Sequence, residues 1–219
     1  MNDKIAILID GGFYRRKAQY LWGEMKAKER AKDMISYCYK HLKDNYGKEY
    51  DLYRIFYYDC PPMARTVFHP FLKRNVDFRH SDLYKWMNEF LKELTFKRKV
   101  ALRLGELSDT QAHYKLRPKF LNKLCAEKIS ISDLQETDFT LDVRQKGVDM
   151  KIGLDIASMS YKKQVDKIVL ISGDSDFVPA AKLARREGVD FVLDPMRSTI
   201  KSSLQEHVDG VVSCFPEHN

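Results

Sequence analysis

A chain of 219 residues, 44% hydrophobic and 12% aromatic with only 10 Gly and 7 Pro, is long and apolar enough to bury a full core. This excludes a disordered tail, a collagen-like chain and a low-complexity segment. Lys and Arg number 38 against 31 Asp and Glu, a net charge of +7 with a pI near 9.1, which favours an anionic partner, nucleic acid before others, over a merely solvated basic surface.

In chain order, residues 4–9, KIAILI, form a continuous branched run that predicts a strand buried on both faces of a parallel sheet. It ends at Asp10-Gly11-Gly12. The run is too short for a signal peptide or membrane anchor, and no stretch of about 18 apolar residues occurs elsewhere; a soluble, cytoplasmic protein in a reducing compartment is expected. Residues 14–45 carry helix-forming composition and predict one or two helices. A second strand is predicted at 51–58, DLYRIFYY, closed by Asp59-Cys60-Pro61-Pro62. Residues 60–148 read less regularly, with an amphipathic helix at 81–95, a strand at 99–104 and a helix at 118–128. This stretch holds 17 Lys and Arg against 11 Asp and Glu, nearly all of the basic excess. A helix at 148–161, a strand at 167–171, a turn at 172–176, a helix to Glu187, a strand at 189–193, a short helix at 199–206 and an apolar run at 210–214 complete the chain. Strand and helix in alternation predict an α/β fold with a parallel sheet. One domain over 1–219 is expected, with 1–59 and 145–214 forming the sheet core and 60–144 a basic mixed α/β insertion.

Ligands of parallel α/β sheets sit beyond the carboxyl ends of the strands. Asp10 ends the first strand, Asp174 and Asp176 follow the strand at 167–171, and Asp149 opens a helix after Lys146-Gly147-Val148. If the strands at 4–9 and 167–171 are neighbours, these carboxylates converge on one cleft. Gathered acids repel one another unless a cation neutralises them, and Mg²⁺ or Mn²⁺, which prefer hard oxygen ligands, are the usual solution. Such a site can activate a water and stabilise the leaving oxygen of a phosphodiester. Each acid also has a plainer reading: Asp10, Asp174 and Asp176 as turn or cap residues, Asp149 as a first-turn acid. Asp155, six residues past Asp149, falls on another helix face. Asp59 and Asp194 also end predicted strands and are read first as surface loop residues, with support of the site from behind its ligands as the alternative. The six histidines form no pair at catalytic or ligand spacing, and the four cysteines form no zinc pattern.

For substrate contacts, Arg15, Arg16 and Lys17 start nearest the proposed cleft. Lys97-Arg98-Lys99, Arg103, Lys115, Arg117 and Lys119 could track a phosphate backbone, with Phe96 and Tyr114 stacking on bases. Lys146 and Ser172 flank the acids.

The motifs Ile7-Leu8-Ile9-Asp10-Gly11, Gln145-Lys146-Gly147-Val148-Asp149 and Val169-Leu170-Ile171-Ser172-Gly173-Asp174-Ser175-Asp176-Phe177-Val178-Pro179, with Tyr57 to Pro62 and Arg103-Leu104-Gly105, resemble NYN domain proteins of the LabA and DUF88 type. The resemblance implies a PIN-like, Rossmann-like fold with a five-strand parallel sheet. It also implies metal-dependent RNA cleavage, with Mg²⁺ or Mn²⁺ held by Asp10, Asp149 and Asp174, and Asp176 in support. Many members carry Asn three residues after the first Asp, where this chain has Phe13. The leading expectation is a single-strand-preferring ribonuclease, endonucleolytic in the first instance, with Lys146, Arg15, Arg103 and Ser172 on the substrate; self-association is left open. The alternative is a catalytically weak or inactive module that binds RNA or a protein partner. A haloacid-dehalogenase-like phosphatase is disfavoured because Asp10 is followed by Gly11-Gly12 rather than by a second Asp two residues on, and dinucleotide binding because no G-x-G-x-x-G follows the first strand.

Overall fold

The computed structural model describes residues 2–214. In chain order the elements are β1 (Lys4–Asp10), α1 (Gly11–Trp22), α2 (Ala27–Lys40), β2 (Asp51–Asp59), β3 (Thr66–His69), β4 (Arg74–Asp77), α3 (Asp82–Thr95), β5 (Val100–Leu104), β6 (Glu106–Leu116), α4 (Pro118–Cys125), β7 (Phe139–Lys146), α5 (Val148–Tyr161), β8 (Lys167–Ile171), α6 (Val178–Arg186), β9 (Asp190–Asp194), α7 (Ser202–Gln205) and β10 (Gly210–Val211). No helix among the described residues is long and apolar enough to cross a membrane.

The core is a six-stranded sheet in the order β10-β9-β8-β1-β2-β5, parallel throughout. β1 shows why its run lacks polar alternation. Ile5, Ile7 and Ile9 enter one apolar layer with Tyr14 and Ala18 of α1, Met34 of α2 and Phe90 of α3, while Ala6 and Leu8 enter the opposite layer with Ile152 and Ile156 of α5 and Ala181 of α6. Both faces are covered, so every position is apolar. The resemblance implied five strands; the C-terminal run adds a sixth, short one, with Gly210 opposite Val192 of β9.

From β1 the chain steps to β2 and β5 on one side, whereas β8, β9 and β10 lie on the other. The order therefore reverses between β1 and β8, and parallel sheets leave a crevice at that point beyond the strand ends. Of the residues expected to form an insertion, α3 and β5 are built into this core: Met87, Phe90, Leu91 and Leu94 of α3 recur at helical spacing and are buried. The remainder makes two antiparallel pairs, β3 with β4 and β6 with β7, and the helix α4. The longer ribbon leaves β5 through Gly105, where a β-carbon would lie 2.5 Å from the Lys146 carbonyl oxygen. It returns to α5 through Gly147 at φ +79°, a left-handed conformation that glycine adopts without strain.

Candidate active site

The β1–β8 crevice is built by short-range turn chemistry. Asp10 caps α1, its Oδ1 accepting the Phe13 N–H at 3.0 Å, and its Oδ2 accepts the Ser172 hydroxyl at 3.3 Å. The Ser172 Oγ in turn accepts the Asp174 N–H at 3.3 Å, and Asp174 Oδ1 accepts the Asp176 N–H at 3.0 Å. The cap reading and the site reading of Asp10 and Asp174 are thus compatible: one oxygen of each carboxylate shapes its turn. Gly173 leaves room for the Phe13 ring, which a β-carbon there would approach to 2.8 Å. Phe13 offers no side-chain amide, yet its backbone N–H holds Asp10.

Across the crevice, Asp149 stands in the first turn of α5. The carboxyl of Asp10 is pushed up from its ordinary value, by burial first and also by the charge of Asp149, against the pull of the Phe13 amide. That of Asp149 is pushed up by burial and then by the charges of Asp174 and Asp176. The four acids share one electrostatic field, and none of the ion pairs among the described residues includes any of them. No three His, Cys, Asp or Glu side chains among the described residues form a ready metal cage. The donor chemistry nonetheless fits a hydrated Mg²⁺ or Mn²⁺, which keeps several waters and takes one or two carboxylates plus substrate phosphate.

The basic candidates divide. Arg15 forks onto Asp59, Nε to Oδ2 at 2.9 Å and Nη2 to Oδ1 at 3.2 Å, and Arg103 pairs with Asp155 at 3.0 Å. A direct phosphate contact by either arginine requires breaking its pair. Lys146 is exposed at the end of β7 beside the acids. Lys97-Arg98-Lys99 precedes β5 and so lies at the opposite edge of the sheet from Asp10; Lys99 Nζ donates to the Leu52 carbonyl. Tyr114 packs on His69 at 4.0 Å between ring centroids, and Lys115 pairs with Asp142. Phe96 is exposed, at the C-terminus of α3.

Two expectations are corrected. Asp59 and Asp194 are not surface loop residues but buried ones, 1% and 0% exposed, because each ends a central parallel strand under a covering helix. Asp194 accepts from Tyr37 Oη at 2.5 Å and from His41 Nε2 at 2.9 Å, while its backbone oxygen accepts the Ser172 N–H. Sequence spacing could not find this cluster, because Asp194 lies over 150 residues from both Tyr37 and His41. Sequence reasoning also passed over Lys201, whose Nζ reaches the Ser175 hydroxyl at 3.1 Å, and Gln145, a motif residue left without a role.

Burial alone would lower the His41 imidazole, but its hydrogen bonds to Asp194 and Cys214 and their charges outweigh it, and it is pushed up to about 9 from 6.5. A raised folded value means that the stabilisation by charged His41 is complete below about 6.5 and lost as pH rises through about 9. The urea midpoint of the wild type is expected to fall across that window, and that of His41→Gln to fall less. Equal slopes would count against the charged pair.

The NYN domain matches residues 75–214 of the chain, a span that takes in Asp149, Asp174 and Asp176 and begins after Asp10. Among solved structures, a crystallised protein of unknown function from Vibrio parahaemolyticus is similar at 15% identity and a TM-score of 0.47, over 97% of this chain and 93% of that one. No curated protein matches.

Proposed function

Because the chain belongs to the NYN domain family, a nuclease family of the PIN-like superfamily, we propose that it is a metal-dependent ribonuclease acting on single-stranded RNA. Asp10, Asp149 and Asp174 would hold Mg²⁺ or Mn²⁺, with Asp176 in support. What supports this reading is the concentration of negative charge at the β1–β8 crevice, where burial and mutual repulsion raise Asp10 and Asp149. A divalent ion bound there supplies charge neutralisation, an activated water and stabilisation of the leaving oxygen.

The chain's own groups do the positioning. Asp10 is hydrogen-bonded at both oxygens, so its orientation is set before substrate arrives. Ser172 couples Asp10 to the loop bearing Asp174. Lys146 and Arg16, whose charge reaches Asp10, are the cations offered to the scissile phosphate. Arg15 and Arg103, fixed in their ion pairs, shape the wall and take a phosphate only by exchange.

Phe13 and the lack of a ready three-ligand cage among the described residues favour a second reading, a module that binds RNA or a protein partner without cutting. The test is incubation of end-labelled single-stranded and duplex RNA and DNA with the wild type in Mn²⁺, Mg²⁺ or EDTA. Cutting of single-stranded RNA with either ion and none in EDTA is expected. Salt-sensitive RNA binding with no metal-dependent product would overturn the ribonuclease in favour of the second reading.

A further inference from the structure

Beside the acidic crevice, beyond the end of β2, a cavity of about 190 Å³ opens between α1, the start of α3 and the β6–β7 ribbon; Phe78, Tyr84, Met87 and Val143 line it, with Arg15 and its partner Asp59, Ser81 and Gln145 among the polar groups. Gln145 connects it to the crevice: a β-carbon built on Gly12 would lie 3.5 Å from Asp10 Oδ1 and 3.9 Å from Gln145 Oε1. The Gln145 amide thus borders both spaces.

We propose that this cavity is a nucleobase subsite, which receives one unstacked base of a single-stranded RNA whose phosphate lies at Asp10; the proposal rests on reading the crevice as the nuclease site. The size suits a single ring system, since pockets for larger ligands run from about 300 Å³ upward. Aromatic faces and thioether and aliphatic side chains accept the flat surface of any base. The Gln145 amide offers a donor and an acceptor to its edge. Arg15, tied to the buried Asp59 carboxylate, gives a wall that does not swing into the space. A base within a duplex cannot enter, so the subsite itself selects single strands.

The test compares binding, by fluorescence anisotropy in Ca²⁺, of a short dye-labelled single-stranded oligoribonucleotide with that of the same oligomer built from abasic residues. The wild type is expected to prefer the base-bearing oligomer about tenfold, as one base stacked on aromatic side chains warrants. Val143→Trp, which fills the cavity, is expected to erase that preference while binding the abasic oligomer as the wild type does. Gln145→Ala, at an exposed position where folding is not at stake, is expected to reduce it. A wild type without base preference, or one whose preference survives in both variants, overturns the subsite even if metal-dependent cleavage is observed. Preference lost in the variants from a protein that cuts nothing upholds the subsite and removes the nuclease reading instead.

Discussion

Asp10→Asn is expected to lower metal-dependent RNA cleavage by more than ~100-fold, beyond what disturbing a group outside the ligand set costs, while raising the melting temperature measured in EDTA. The two effects have one cause. Asn is as good a helix cap as Asp and can still accept the Phe13 N–H on its amide oxygen, so α1 keeps its start. What disappears is a carboxylate whose burial and whose neighbour Asp149 make its charged form costly. An acid raised in the folded state destabilises that state at every pH above the raised value, so neutralising it stabilises the apo protein. A divalent ion should relieve the same penalty: Mn²⁺ should raise the melting temperature of the wild type and do little for the variant. Cleavage at wild-type rates by Asp10→Asn, or a variant less stable than the wild type in EDTA, would sink the assignment of Asp10.

The largest loss of stability is expected at Asp59→Ala, about 3–5 kcal/mol, because the change leaves a mostly buried guanidinium without its partner. Asp59 does more than neutralise Arg15: it also accepts the Tyr57 hydroxyl at 2.9 Å and the Cys60 N–H at 2.8 Å. All of its bonds are lost at once, and in a chain of this size the melting point should drop by about 10 °C. The double variant Asp59→Leu with Arg15→Leu should recover only the share due to the unpaired guanidinium, because the Tyr57 hydroxyl and the Cys60 N–H still lose their acceptor. Urea titration of the single and double variants reads the coupling. A cost below about 1 kcal/mol for Asp59→Ala would mean that the pair behaves as an exposed one.

The parallel core was legible in the sequence because it is written in local patterns. The runs KIAILI and KIVLI have no polar alternation, which only doubly covered strands tolerate, and the glycines and acids after them mark the strand ends. Asp10, Asp149, Asp174 and Asp176 could therefore be singled out before any contact was known. The β6–β7 ribbon was not legible. Its pairing shifts register between Ser108 and His113, and most of β7 is only half-buried or exposed, so no clean period of two survives. Asp59 and Asp194 were misread for a related reason: an acid after a strand looks the same whether solvent or a helix lies above it. Their partners, Arg15 on α1, Tyr37 on α2 and His41 just past the C-terminus of α2, are brought near only by the tertiary fold. Phe78, Tyr84 and Val143, which line the cavity beside the crevice, come from three separate stretches of the chain with no shared motif.

The sheet order also governs when the molecule can first act during its synthesis. β1 leaves the ribosome well before one of its two neighbours, β8, and the Ser172 that steadies Asp10 is 162 residues downstream. Until residues 167–176 emerge, β1 has an open edge, and Asp10 faces neither Ser172 nor the loop acids. Late pairing of this kind keeps an apolar strand edge exposed while about 160 residues are added, a hazard that invites chaperone attention. It also means that a nascent chain carries no assembled acidic crevice until residues 167–176 have emerged.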